Sequence, residues 1–225
     1  SPTGQFLHLG VMKSGLMNVG DTVKSVVDEE RRMAIMRNHT ACHLLQAALR
    51  QVLGTHVQQA GSMVDEHRCR FDFTHFSAMT PDEIARTERL VNQLIFGAYD
   101  VTVTEMPIAE AKKLGAMALF GEKYGEIVRV CNVSGKSVEL CGGTHISNTA
   151  RIGLFKIVSE SSVAAGVRRI EAATGTNVLD IIHQDEALLT QTCESLKAGS
   201  PSELPQKAEA ITAQLKEKEK EIEML

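Results

Sequence analysis

The fold turns on the stretch RRMAIMRNHTACHLLQAALRQVL, residues 31–53. Leu44, Leu45, Ala48, Leu49, Val52 and Leu53 recur at the steps of an α-helix and predict a continuous apolar stripe. Met33, Met36, His43, Ala47 and Arg50 follow at helical spacing beside it. Asp28-Glu29-Glu30 lies near the start, where the helix dipole favours acidic groups, and Gly54 is a stop signal at the other end. One long helix is expected over 31–53.

Working outward, Arg68-Cys69-Arg70-Phe71-Asp72-Phe73 alternates and predicts a strand. Thr80-Pro81-Asp82-Glu83 combines a cap, a proline at the first helical position and an acid at the third, so a helix is expected to about Phe96. Val101–Glu105 predicts a strand and Ile108–Leu114 a short helix ending at Gly115. Ile127–Val130 and Ser137–Leu140 predict paired strands across residues 132–136. Gly153–Val158 and Val167–Ala172 are further strands. There is no regular βαβ repeat and no glycine-rich phosphate loop. The class is α+β, with helices packed on a largely antiparallel sheet.

The two ends differ from this middle. Phe6–Leu9 and Val23–Val27 predict short strands broken by Gly10, Gly15 and Gly20-Asp21, a small sheet or partial N-terminal β-barrel strands. A complete barrel does not fit in so short a stretch, and the chain opens Ser-Pro-Thr, so a piece of a longer protein is expected. Residues 176–200 read as a linker or helix. After Gly199-Ser200-Pro201, Leu204, Ala208, Ile211, Leu215, Ile222 and Leu225 fall at alternating four- and three-residue steps, interrupted by Lys218. That heptad pattern predicts the start of a helical coiled-coil tail over 201–225, a route to self-association. The expected units are 1–30, 31–175, 176–200 and 201–225.

Composition narrows the function classes. With 43% hydrophobic and 23% charged residues the chain is expected to be globular. A net charge of -4 excludes nucleic-acid binding over the whole surface, so RNA contacts need local basic clusters. No apolar run spans a bilayer and no signal peptide is read, so no membrane partner is expected. The cysteine count, five, is odd, and the spacings give no disulfide framework. A reducing, cytoplasmic setting fits, with a thiol free for metal or chemistry.

The chemistry concentrates in two short motifs. His39 and His43 are one helical turn apart, so both imidazoles leave the same face of the helix. Cys141-Gly142-Gly143-Thr144-His145 follows a strand, and its glycines allow a sharp turn and close approach to a metal. An isolated His-x3-His pair is a weak signal. A second pair with a Gly-Gly loop completes a tetrahedral set of imidazoles and a thiolate, which suits Zn²⁺. Cys42 turns to another face of the helix and reads as a small buried hydrophobe. His8, His56, His67, His75 and His183 have no paired spacing and read as surface or core residues.

His39-Thr-Ala-Cys-His43-Leu-Leu, Arg70-Phe-Asp-Phe73, Gly115-Ala-Met-Ala-Leu-Phe-Gly-Glu-Lys-Tyr124, Glu139-Leu-Cys-Gly-Gly-Thr-His145 and Gly166-Val-Arg-Arg-Ile-Glu-Ala172 together resemble the editing domain of bacterial alanyl-tRNA synthetase. The threonyl-tRNA synthetase editing domain and free-standing AlaX-type proteins share the two ligand pairs, but the helical tail favours the alanyl enzyme. The resemblance covers about residues 1–175, with the first 30 residues similar to the end of the β-barrel that precedes editing in that family.

The resemblance implies a deacylase that hydrolyses seryl- and glycyl-tRNA(Ala), inside a synthetase whose ligation chemistry uses ATP. Its partners would be the tRNA(Ala) acceptor end and the remainder of the synthetase. His39, His43, Cys141 and His145 would hold zinc, and His39, His43, Cys141 and Gln59 form the candidate catalytic set. Zinc would activate water, polarise the carbonyl or hold the substrate amino group. Four protein ligands would close its shell, and three plus water would leave it open. Candidates for reading the serine hydroxyl are Gln59 and Ser62, in a Gln58–Ser62 loop, and Thr40 and Thr144. Gly142 and Gly143 are candidates for oxyanion N–H donors. Arg168 and Arg169 are candidates for phosphate contacts, although alternation turns one of them to solvent. Arg70 and Asp72 form a structural pair or shape the pocket. The alternative is a non-catalytic, zinc-stapled RNA-binding or assembly module.

Overall fold

The computed structural model describes residues 7–118 and 124–224. Helix α1, Glu29–Leu53, is the central element. It begins two residues before the sequence reading because the Asp28 side chain accepts the Arg31 N–H at 3.0 Å and caps it. From Thr40 to Leu49 every residue but Ala47 is buried. One flank packs on a four-stranded sheet and the other on α2, Pro81–Phe96. The expected capping box of α2 is present: Thr80 Oγ1 accepts the Glu83 N–H at 3.2 Å, and Glu83 Oε2 accepts the Thr80 N–H at 2.8 Å.

The larger sheet runs β1 (Gln59–Val64), β2 (Cys69–Thr74), β7 (Val167–Thr174), β6 (Phe155–Ala164), every pair antiparallel. Its inner face supplies Phe71, Phe73 and Ile170, which meet Leu44, Leu45 and Leu49 of α1 and Val91 and Ile95 of α2. A smaller antiparallel sheet joins β3 (Val101–Pro107), β4 (Ile127–Val133) and β5 (Ser137–Leu140). It carries α3, Ile108–Lys113, over a second core of Ala111, Val128, Val130 and Leu140. The end of β5 touches α1, which brings the loop after Leu140 against the central helix. The α+β class and the antiparallel sheets are therefore as expected.

Three details differ from the sequence reading. Val23–Val27 is not a strand, and residues 7–28 form none: Leu9, Val19, Val23 and Val26 are exposed, with no neighbouring ladder to satisfy an extended backbone. Phe6, and with it the start of the other expected N-terminal strand, lies outside the described residues. Gln59–Ser62 is not a loop but the start of edge strand β1. Its polar side chains gave no alternating pattern, and a bulge at Ala60 separates Gln59, opposite Phe73, from Gly61, opposite Asp72. Strand β6 runs to Ala164, well past Val158, because Glu160, Ser161 and Ser162 find partners on β7.

Beyond the sheets, α4 spans Thr176–Leu196 and α5 spans Leu204–Glu223. The heptad residues Ile211, Leu215 and Ile222 of α5 are exposed, and Leu225 lies outside the described residues.

Candidate metal centre

Each expected ligand comes from a rigid support. His39 and His43 stand one turn apart on the buried face of α1, and their rings meet edge to face with centroids 5.4 Å apart. Cys141 and His145 come from the turn that leaves β5. The four donor atoms of His39, His43, Cys141 and His145 all lie within 4.8 Å of one another. Cys141 Sγ is 3.4 Å from His39 Nε2 and 3.3 Å from His145 Nε2. A thiolate and three imidazoles converging from two elements is a set that can hold a metal ion.

The surroundings fix which ring nitrogens face inward. The Thr40 hydroxyl has one proton, which it donates to the Met36 carbonyl at 2.9 Å. The same oxygen accepts the Ile146 N–H at 3.3 Å and lies 3.2 Å from His145 Nδ1. With its proton committed, Thr40 can only accept from Nδ1, which leaves His145 Nε2 unprotonated toward Cys141. His39 makes its outer hydrogen bond to the Thr144 backbone. His43 Nδ1 faces Glu139 Oε2 at 3.6 Å, beyond hydrogen-bond reach, and has no hydrogen-bond partner among the described residues.

Electrostatics keep the imidazoles neutral. Burial, then the neighbouring His145 and His39, holds His43 well below its ordinary value. Burial, then His39 and Arg129, brings His145 down to about 3. Burial also lowers His39. Neutral imidazole is the ligating form. Burial pushes the Glu139 carboxyl up to about 7, opposed by the Ser137 hydroxyl that donates to its Oε1 at 2.6 Å. Two core thiols are held in the neutral form: Cys42 is raised by its hydrogen bond with Cys69 and by burial, and Cys131 is pushed by burial up to about 12. Cys42 is thus the buried hydrophobe that the spacing predicted.

The remaining candidates divide. Gly143 packs on the His39 ring, whereas at Gly142 an added Cβ would meet nothing within 4 Å. Gln59 lines a cavity of about 290 Å³ together with Gln46, Arg50, Met117, Glu139 and Leu140. Its Nε2 donates to Ser62 Oγ at 3.0 Å. Arg168 and Arg169 leave opposite sides of β7 and both end on carboxylates: Arg168 forks onto Glu160 at 2.5 and 2.7 Å, Arg169 onto Asp72 at 2.7 and 2.8 Å. The expectation that one of them simply faces solvent is corrected by these pairs: Asp72 stands directly opposite Arg169 on β2, and Glu160, diagonal to Arg168 on β6, takes the other fork. Arg70 also approaches Asp72, at 3.7 Å.

Sequence reasoning missed three neighbours of the ligands. Arg129 Nη1 donates to the Cys141 carbonyl at 3.1 Å and to the Gly143 carbonyl, clamping the ligand loop. Glu139, two residues before Cys141, backs His43. Gln46 extends the polar face of α1, and its spacing from His39 and His43 was the available signal. His56 and His75 were also read as separate, yet Nε2 of the first lies 3.0 Å from Nδ1 of the second.

The family described as the threonyl and alanyl tRNA synthetase second additional domain matches residues 128–171, from β4 through Cys141 and His145 into β7. Alanine–tRNA ligase of Acetivibrio thermocellus is 52% identical over 222 residues, 99% of this chain and 25% of its own length. Those of Listeria innocua and Bacillus subtilis are 52% and 50% identical over all 225 residues, 26% of their lengths. The chain spans about a quarter of the relatives it matches.

Proposed function

We propose, from the premise that this chain corresponds throughout to a segment of alanyl-tRNA synthetase, that it hydrolyses mischarged seryl- and glycyl-tRNA(Ala). The observation that carries the reading is the convergence of His39, His43, Cys141 and His145 near a cavity lined by both polar and apolar side chains. A synthetic pocket for alanine cannot exclude smaller glycine and rejects serine only weakly, so a hydrolytic site must add the discrimination.

The donor set and its neutral imidazoles fit Zn²⁺. When bound, zinc supplies Lewis acidity toward an ester carbonyl or its attacking water. The chain's own residues prepare the rest. Thr40 orients His145, Glu139 backs His43, and Arg129 holds the Cys141–Gly143 loop. Gly142 and Gly143 leave backbone N–H groups for a developing oxyanion. Gln59, with Thr144 and Ser62 nearby in sequence to the same elements, contacts the substrate. Arg168 and Arg169 hold the sheet that presents β1 and β2, with any phosphate contact secondary to their carboxylates. The tRNA(Ala) acceptor end and the remainder of the synthetase are the partners, the setting is cytoplasmic, and the exposed face of α5 serves self-association. No helix among the described residues is long and apolar enough to cross a membrane.

A second reading has one observation in its favour: four protein donors would close the shell and make the metal a structural staple. Metal analysis with mischarged-tRNA hydrolysis separates the two. A deacylase turns over seryl-tRNA and spares alanyl-tRNA, and loses metal and activity together in His43→Ala and Cys141→Ala. Full activity in metal-free variants overturns the reading, and metal retention without turnover in the wild-type chain favours the staple.

A further inference from the structure

The metal group does not exhaust the polar face of α1. His39, His43, Gln46 and Arg50 fall at steps of four, three and four along the helix, so one stripe carries all of them. Arg50 Nη1 is committed to the Thr55 and Val57 carbonyls at 2.8 and 2.6 Å. Gln46 is not so engaged. Gln46 is 6% exposed; among the described residues its Nε2 has only the Met117 sulfur at 3.6 Å, and its Oε1 is buried with no partner.

Buried amide oxygens in folded proteins are nearly always satisfied, so an orphan acceptor on a side chain that lines a cavity marks where a donor arrives once the amide turns toward it. By contrast Asn38, buried on the same helix, donates to Asp65 O at 2.9 Å and accepts from Thr174 Oγ1 at 2.7 Å. The cavity that Gln46 lines adjoins the metal group twice, through Glu139 against His43 and through Leu140 directly before Cys141.

We propose that Gln46 determines serine specificity: its Oε1 accepts a hydrogen bond from the side-chain hydroxyl of a seryl ester seated between this cavity and the metal group. The proposal rests on the deacylase reading above. Two other candidate readers of that hydroxyl already hold partners, Thr40 three of them and Ser62 the Gln59 amide. The same atom accounts for sparing alanine. A hydroxyl satisfies Oε1, and a glycyl ester leaves room for water to do so. An alanyl methyl displaces that water and leaves the acceptor unpaired, the arrangement by which a site built for a hydroxyl rejects its apolar analogue.

Gln46→Leu keeps the volume and removes the acceptor. We expect kcat/KM on seryl-tRNA(Ala) to fall about ten- to hundredfold, glycyl-tRNA(Ala) to change by less than about twofold, and metal content to stay the same. The Tm holds or rises, because an unpaired polar group has left the interior; a purely structural glutamine would lower it. Equal losses on both esters, or no loss on the seryl ester, overturn the proposal. If the wild-type chain hydrolyses neither ester, the deacylase reading itself has failed. Gln46 is then decided by NMR titration with the 3′-seryl and 3′-glycyl amides of 3′-amino-3′-deoxyadenosine. A shift of the Gln46 amide resonances with the seryl compound alone supports the proposal, and equal or absent shifts overturn it.

Discussion

Gly143 backs onto the ring of His39 so closely that a Cβ there would lie 2.0 Å from Cε1 and 2.4 Å from Nδ1. The neighbouring glycine has no such constraint. Gly143→Ala must therefore push His39 off the metal group, while Gly142→Ala leaves it in place. Metal content and competition with a chromophoric chelator should show an affinity loss on the order of 10–100-fold for the first, the usual scale for disturbing a ligand's support. Equal affinities in the two variants would separate His39 from the site.

Thr40 ties the two ligand motifs together, since one hydroxyl serves Met36 and Ile146 and lies against His145. Thr40→Val keeps the shape and strips the hydroxyl, leaving the Ile146 N–H and His145 Nδ1 unpaired. Denaturant unfolding should report a loss of about 1–3 kcal/mol, the cost of orphaned buried polar groups. Thr40→Ser should recover most of it. A valine variant as stable as wild type would contradict this network.

How far the sequence carried depends on how local each signal is. α1 and α2 were legible because their apolar spacing and the Thr80–Glu83 cap are written within a few residues. The four candidate ligands were legible because each pair is four residues apart, though nothing local said that the pairs meet. Glu139 and Arg129 escaped because their places come from which elements pack together, whereas Gln46 carried a signal in its helical spacing from His39 and His43. The carboxylate partners of Arg168 and Arg169 come from strand register, in which Asp72 stands directly opposite Arg169. Residues 7–28 alternate and turn like strands, yet a strand without a neighbour has no ladder to join.

That register makes a further expectation for Asp72 and Arg169, which form a two-pronged pair across β2 and β7. Either single alanine substitution leaves a partly buried charge without its fork. Each should lower the urea midpoint, and the double variant should lower it by less than the sum. A double-mutant cycle in urea measures the coupling. Strict additivity would mean that the pair contributes nothing to the sheet.

The α2 cap gives a pH-dependent expectation whose sign is fixed by the structure. The Thr80 N–H and hydroxyl both donate to the Glu83 carboxylate and hold it below the usual carboxylate range. The folded value is the depressed one, so the contribution is fully present above the unfolded value of about 4.3 and fades as pH falls through the folded value. Thr80→Ala removes the hydroxyl that caps the Glu83 N–H and donates to its carboxylate. It should cost about 1 kcal/mol at neutral pH, the usual loss for a helix cap. The difference from wild type should narrow as pH falls below the usual carboxylate value, because protonated Glu83 no longer rewards the donors. Urea midpoints for the two proteins measured from neutral to acid pH test this. A gap that stays constant into acid would mean that the hydroxyl acts through the backbone cap alone, with no share from the carboxylate.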